Sequence, residues 1–186
     1  MVVIRPVQLA DLRAITDIYN EAILTTVATF DTEPKSEAER RAWLTAHGPR
    51  HPILVAELAG AVVGWASLSQ WSDRPAYADT AEISLYVREA YRGQGIGKQL
   101  IETIIAEGEK VGLHTVIARI VAGNQVSIRL HEAVGFEPIG VMREVGRKFG
   151  RLLDVYLMQK IYHEGHEKGH ERHEERHERD FKISGV

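Results

Sequence analysis

The chain has 186 residues, 44% of them hydrophobic and 26% charged, with a formal net charge of -3 at pH 7. That length suits one domain, and the balance gives nucleic acid or an anionic membrane nothing to hold, so neither is expected as a partner. The absence of cysteine excludes disulfides, thiolate metal ligands and a cysteine nucleophile, and fits a reducing compartment.

The first residues lack a charged-then-apolar leader. The longest apolar stretch, residues 53–68, is broken by Glu57 and Gly60 and is too short to span a bilayer. A cytoplasmic protein is the expectation.

In chain order, residues 2–5 form a β-rich run stopped by Pro6. Residues 10–24 carry Leu12, Ile15, Ile18, Ala22 and Ile23 at helical spacing, with Asp11 in the first turn where the helix dipole favours it. A polar loop covers 25–34, and a second helix covers 36–46, opened by Ser36 and Glu39 as a capping box. Residues 53–57 and 62–69 read as strands around a turn, 70–79 as a loop and 81–87 as a strand. The strongest helix, 96–110, sets Leu100, Ile101, Ile104 and Ile105 against Lys98, Gln99, Glu102 and Glu109; Gly112 ends it. A strand over 115–121, a helix over 125–134 and strands near 139–144 and 153–161 follow. The order predicts a mixed α/β domain over residues 1–162, with parallel pairing in its second half. Composition changes at His163, and residues 163–186 read as a charged His/Glu-rich tail.

The most informative stretch is AEISLYVREAYRGQGIGKQLI, residues 81–101. A strand runs into Arg92-Gly93-Gln94-Gly95-Ile96-Gly97, where a helix starts. Glycines at such a turn let backbone N–H groups approach an anion, and the helix N-terminus adds partial positive charge. Arg92 and Lys98 add charge at the rim. The chemistry is that of a phosphate or pyrophosphate site, or of a tight strand-to-helix turn. No Gly-Lys-Ser/Thr follows, so it is not a Walker loop, and its late position does not suit a dinucleotide fingerprint.

Arg92, Gly95 and Gly97 match the Arg/Gln-x-x-Gly-x-Gly/Ala signature of GNAT N-acetyltransferases. A second match is Asn124-x-x-Ser127-x-x-Leu130-His131-x-x-x-Gly135-Phe136. The chain resembles that superfamily over about residues 1–161. The resemblance implies the GNAT acyl-CoA acyltransferase fold, a mixed central sheet flanked by helices, with acetyl-CoA as cosubstrate and no catalytic metal. It implies that Arg92, Gly93, Gln94, Gly95, Ile96, Gly97 and Lys98 hold the pyrophosphate. The strand at Leu85, Tyr86 and Val87 would bond the pantetheine arm through its backbone, and Asn124 and Ser127 would complete the site.

Thr29-Phe30-Asp31-Thr32-Glu33-Pro34, Thr80-Ala81-Glu82 and Arg129-Leu130-His131-Glu132-Ala133 are similar to phosphinothricin N-acetyltransferases. That group acetylates the α-amino group of phosphinothricin, methionine sulfoximine or methionine sulfone, and the resemblance implies a homodimer whose sites are lined partly by the partner. The segment Lys148-Phe149-Gly150-Arg151-Leu152-Leu153-Asp154-Val155 departs from it. Phe149, Leu152 and Leu153 are apolar where those enzymes are polar or aromatic, which points to the broader class of small amino acids and analogues rather than to phosphinothricin itself.

Acetyl transfer to an amine needs a base for the ammonium proton, a donor for the developing oxyanion and an acid for the thiolate. Glu82, a carboxylate in an otherwise apolar strand, is the candidate base, and the resemblance places the catalytic glutamate there; the alternative is a solvent-facing strand residue sharing a face with Ser84. His131 is the second candidate, as base or acid, against a helix histidine bonded for structure. Phe30, Trp71, Arg74 and Tyr77 lie in loops that the resemblance implies fold over the acceptor; Arg74 is suited to gripping a carboxylate or is a plain surface arginine, and Trp71 and Tyr77 are pocket walls or packing residues. Other readings are a protein N-terminal or polyamine acetyltransferase of the same fold, and an inactive CoA- or metal-binding sensor. In the tail, His163, His166, His170, His173 and His177 are spaced three, four, three, four. On a helix that stripe could hold adventitious zinc or nickel; the plainer reading is a solvated extension.

Overall fold

The structure, a computed structural model, describes residues 1–163. The metal-binding reading of the tail beyond His163 lies outside the described residues. No described helix is long and apolar enough to cross a membrane.

The elements are β1 (Val2–Pro6), α1 (Leu12–Thr25), α2 (Glu37–Ala46), β2 (Ile53–Leu58), β3 (Ala61–Gln70), β4 (Thr80–Val87), α3 (Ile96–Lys110), β5 (Thr115–Val121), α4 (Gln125–Glu132), β6 (Glu137–Lys148) and β7 (Arg151–Ile161). The strands form one sheet in the order β1-β2-β3-β4-β5-β7-β6, so the mixed α/β reading holds. Parallel pairing, expected through the second half, is confined to β4 with β5 among the described strands. β7 runs antiparallel to both β5 and β6, because β6 turns straight back into it as a hairpin. That hairpin is longer than the sequence pattern suggested. The residues left between the two expected strands are strand as well, apart from the turn itself, where Phe149 and Gly150 take left-handed φ values of 49° and 72°.

Local chemistry explains the element ends. The Ser36 hydroxyl accepts from the Glu39 N–H at 3.2 Å while the Glu39 carboxylate accepts from the Ser36 N–H at 2.7 Å, the reciprocal cap expected of this spacing. Asp11 serves differently from expectation. Its carboxylate accepts from Arg5 at 2.8 and 2.9 Å and from the Gln8 N–H at 2.7 Å. It closes a 3-10 turn ahead of α1, and Arg5 holds its pKa below the ordinary value.

The sheet carries two apolar layers. On one face Ile96, Leu100, Ile101, Ile104 and Ile105 of α3 pack against Leu54, Ala66, Leu68, Ile83, Val116, Ala118 and Met158, with Ile128 of α4 beside them. On the other, Ile15 and Ile18 of α1 pack against Val55 and Trp65. Burying each such side chain contributes about 1.5–3 kcal/mol. Arg40 of α2 is buried here, its guanidinium 3.8 Å from the Trp43 ring centroid and 4.7 Å from that of Tyr19. Burial pulls its pKa down to about 10.

The feature that positions a site is the parting of β4 from β5. They pair only over Thr80–Glu82 with Thr115–Ile117. Beyond that, β4 stays with β3 and β5 with β7, leaving a gap in the middle of the sheet.

Candidate active site

Two hydrogen bonds fix which way β4 faces its neighbours: Trp71 N–H to Thr80 O at 3.3 Å and Arg88 N–H to Val63 O at 2.9 Å. With the continuous β3–β4 register, antiparallel alternation aims the backbone groups of Glu82, Ser84 and Tyr86 at β3. Those of Leu85 and Val87 face the gap. An extended ligand could there pair with the strand as β5 would have done.

Because β4 and β5 are parallel, their C-terminal ends open at the same sheet edge, the usual place for a ligand in such sheets. Both ends run into helix N-termini. Gly93 and Gly95 have φ of 74° and 81°, and Gly95 caps α3 with no side-chain bond. A Cβ at Gly95 would meet no atom within 4 Å, so the space above the turn is open. The Gln99 N–H returns to Gly95 O, whereas the first amides of the helix have no intrahelical acceptor. Such a cradle suits an anion. Ile96 is buried as an anchor, and Gly97 faces Leu130 and Leu85, where a Cβ would lie 3.5 and 3.8 Å from their methyls.

Arg92 and Gln94 are exposed. The Arg92 Nε donates to Val87 O at 3.0 Å, tying the loop to the strand. Lys98 lies 3.8 Å from Glu102 at the rim. At the β5 end, the Asn124 carbonyl oxygen accepts from the Ser127 N–H at 3.2 Å and caps α4. Asn124 is therefore a helix cap at the mouth of the gap, and its amide NH₂ remains for a ligand.

The candidate catalytic groups occupy different layers. Glu82 is not in the apolar setting expected of it. Both its oxygens are taken by Arg119 of β5, from Nε at 2.5 Å and Nη2 at 2.8 Å. His131 is buried on α4, edge-on to Phe136 at 5.0 Å. Its Nδ1 lies 2.8 Å from Ser127 O, so Nδ1–H donates and Nε2 is left as acceptor. Burial holds its pKa below the ordinary histidine value, only partly offset by that bond, which suits a neutral imidazole. Among the described residues no hydrogen bond links His131 to Glu82.

The loop candidates divide. Trp71 lies 5.8 Å from the Arg119 guanidinium and so belongs with Glu82. Phe30 lies against β6, where a Cβ at Gly146 would overlap its ring. Arg74 and Tyr77 are exposed beside a 3-10 turn, and neither side chain joins Glu82 through a hydrogen bond among the described residues. Within the divergent segment, Phe149 and Leu152 point outward, while Leu153 is buried.

Sequence reasoning missed Arg119 and Lys148. Alternation along β5 puts Arg119 on the face opposite buried Val116, Ala118 and Ile120, but only the β4–β5 register brings it to Glu82. Lys148 is buried, and its ammonium donates to Thr29 O at 2.7 Å, pinning the loop after α1 to the hairpin. Burial lowers its pKa. Next to it, the Tyr19 hydroxyl bonds Thr29 and Asp31, and burial pushes that phenol up to about 12.

The acetyltransferase (GNAT) family model matches residues 14–136. The chain is 44% identical over 158 residues to the L-methionine sulfoximine/L-methionine sulfone acetyltransferase of Pseudomonas paraeruginosa, covering 84% of this chain and 92% of the relative. It is 39% identical to the phosphinothricin N-acetyltransferase of Streptomyces coelicolor, covering 82% and 91%. The crystal structure of a phosphinothricin acetyltransferase from Sinorhizobium meliloti in complex with AcCoA superposes with a TM-score of 0.83 at 40% identity, covering 86% and 88% of the two chains.

Proposed function

Given that the chain belongs to the GNAT family of acetyltransferases, we propose that it transfers an acetyl group from acetyl-CoA to the α-amino group of a small amino acid or analogue of the methionine sulfone or methionine sulfoximine type. The observation that carries this reading is the parted β4–β5 pair, with two helix N-termini at its mouth and the Glu82 carboxylate at the point where the strands part. The loop's free amides suit a pyrophosphate, and the gap-facing backbone of Leu85, with the Val87 N–H beside it, suits an extended amide-bearing arm. The substrate class rests on the named relatives and on the half-exposed Arg119 guanidinium beside Glu82, which favours an anionic acceptor over a polycation.

In this reading Glu82 takes one proton from the acceptor ammonium, directly or through water. The freed nitrogen lone pair attacks the thioester carbon, and a gap-facing N–H of β4 donates to the developing oxyanion. The carbon–sulfur bond breaks, and the nitrogen's second proton passes to the thiolate. His131 is the candidate relay for that proton, accepting on Nε2 and giving it up again. Phe30, Trp71, Arg74 and Tyr77 form the acceptor's surroundings.

The cytoplasmic setting rests on the sequence alone. The homodimer is supported by β6, an edge strand with Ile139, Val141 and Val145 about half exposed, the kind of edge that proteins cover. The test is thiol release from acetyl-CoA with methionine sulfone, methionine sulfoximine, phosphinothricin, polyamines and peptide N-termini. Preference for the first two supports the reading, and preference for polyamines or peptides overturns it.

A further inference from the structure

The Glu82–Arg119 pair sits where the parting of the sheet begins, Glu82 at the last paired position of β4 and Arg119 just past its partner Ile117, with its charged ends accessible. Side-chain exposure is 51% for Arg119 and 21% for Glu82. Both guanidinium bonds go to the one carboxylate. A pair this exposed contributes little to stability, yet it occupies the group that the chemistry needs. A base already bonded through both oxygens by a guanidinium is poorly placed to take an ammonium proton. Trp71, 5.8 Å away, gives the guanidinium an aromatic face as a second contact.

An α-amino acid carries the complement of this pair. Its ammonium and carboxylate are attached to one carbon, as opposite in charge and as close together as Glu82 and Arg119. We propose that Arg119 is the specificity-determining residue that reads the acceptor carboxylate, and that in turning to it Arg119 releases Glu82 for the acceptor ammonium. One protein ion pair is exchanged for two protein–acceptor pairs, with charge conserved. A planar fork matches a carboxylate in both partnerships. An amine without a carboxylate offers only half of the exchange and leaves Arg119 on Glu82. The proposal rests on the acetyltransferase reading above, and it assigns to β5 the role that the sequence alone gave to Arg74.

The test uses the full chain and two acceptors that differ only in the carboxylate: L-methionine sulfone and 3-(methylsulfonyl)propylamine. Wild-type kcat/KM is expected to favour the amino acid by about 10²-fold. Arg119→Met is expected to lower kcat/KM for the amino acid by about the same factor, while that for the amine stays level or rises because Glu82 is no longer occupied. Arg119→Lys, which keeps the charge and loses the fork, is expected to recover only part of the preference. Acetyl-CoA affinity, measured by calorimetry, should be unchanged in both variants.

Equal losses on both acceptors, or an undiminished preference in Arg119→Met, would overturn the proposal. So would collapse of the preference in Arg74→Ala alone. Glu82→Gln separates this idea from its premise: loss on both acceptors supports Glu82 as the base, and no loss on either refutes the base assignment whatever Arg119 does.

Discussion

The two ends of the cleft are built from different materials. The mouth is made of backbone: left-handed glycines, unpaired amides of a helix N-terminus and the gap-facing edge of β4. The interior is made of side chains drawn from separate elements, Glu82 from β4, Arg119 from β5 and Trp71 from the loop between β3 and β4. A backbone site recognises what all its ligands share, and a side-chain site can be retuned one residue at a time. One fold can therefore keep a common donor while changing acceptors.

The largest expected effect separates the two ends. Glu82→Gln keeps the shape and removes the proposed base, so turnover should fall by about 10²–10⁴-fold while acetyl-CoA affinity stays within about twofold. Steady-state kinetics beside calorimetry measures both. Turnover within twofold of wild type would pass the role of base to His131.

The converse break is Gly95→Val. A Cβ there meets no protein atom, so the fold should survive. The left-handed φ of 81° resists a β-branched residue, and the added methyls occupy the space over the free amides. Acetyl-CoA affinity should weaken by about 10²-fold. Unchanged binding would place the donor elsewhere and remove the comparison altogether.

The same contrast explains what could be read from the sequence. The mouth depends on glycine spacing between a strand and an amphipathic helix, and both signals are local. All eleven principal helices and strands were legible for the same reason. The interior depends on register. Ile117 must stand opposite Glu82 before Arg119 can reach it, and no local pattern specifies that. Lys148 is a similar case, since its bond to Thr29 spans 119 residues. Asp11 shows the limit of a local rule. It lies where a helix dipole favours an acid, yet its carboxylate is claimed by Arg5 from a neighbouring strand.

A smaller effect sharpens the role of His131. Burial holds the pKa values of His131, His47 and His51 below 6.5, so the folded chain resists protonation that the unfolded chain accepts. Their contribution is complete above the unfolded value and declines as pH falls through it toward the depressed folded values. The denaturation midpoint should therefore drop as the pH falls from neutrality through the ordinary histidine range. His131→Gln should flatten the slope. An unchanged slope would mean that His131 titrates freely and lacks the shielded setting described above.

The smallest expected effect comes from deletion of residues 163–186. The domain closes before the cut: the Tyr162 N–H donates to His114 O at 2.9 Å, and its buried hydroxyl donates to Ile105 O at 2.7 Å. Both bonds survive truncation after Tyr162. The deleted segment is nearly free of apolar residues and so should not supply the core of a dimer, whereas the half-exposed apolar residues of β6 remain. Its five histidines bind a metal only where imidazole is neutral. The truncated chain should keep the oligomeric state of the full chain by light scattering, the proposed dimer, and its turnover within about twofold, since neither end of the cleft is touched. Zinc or nickel binding should largely disappear. A monomeric or inactive product that still binds acetyl-CoA would mean that the tail completes the dimer or the acceptor end, and that the interior of the cleft is assembled from more of the chain than Glu82, Arg119 and Trp71.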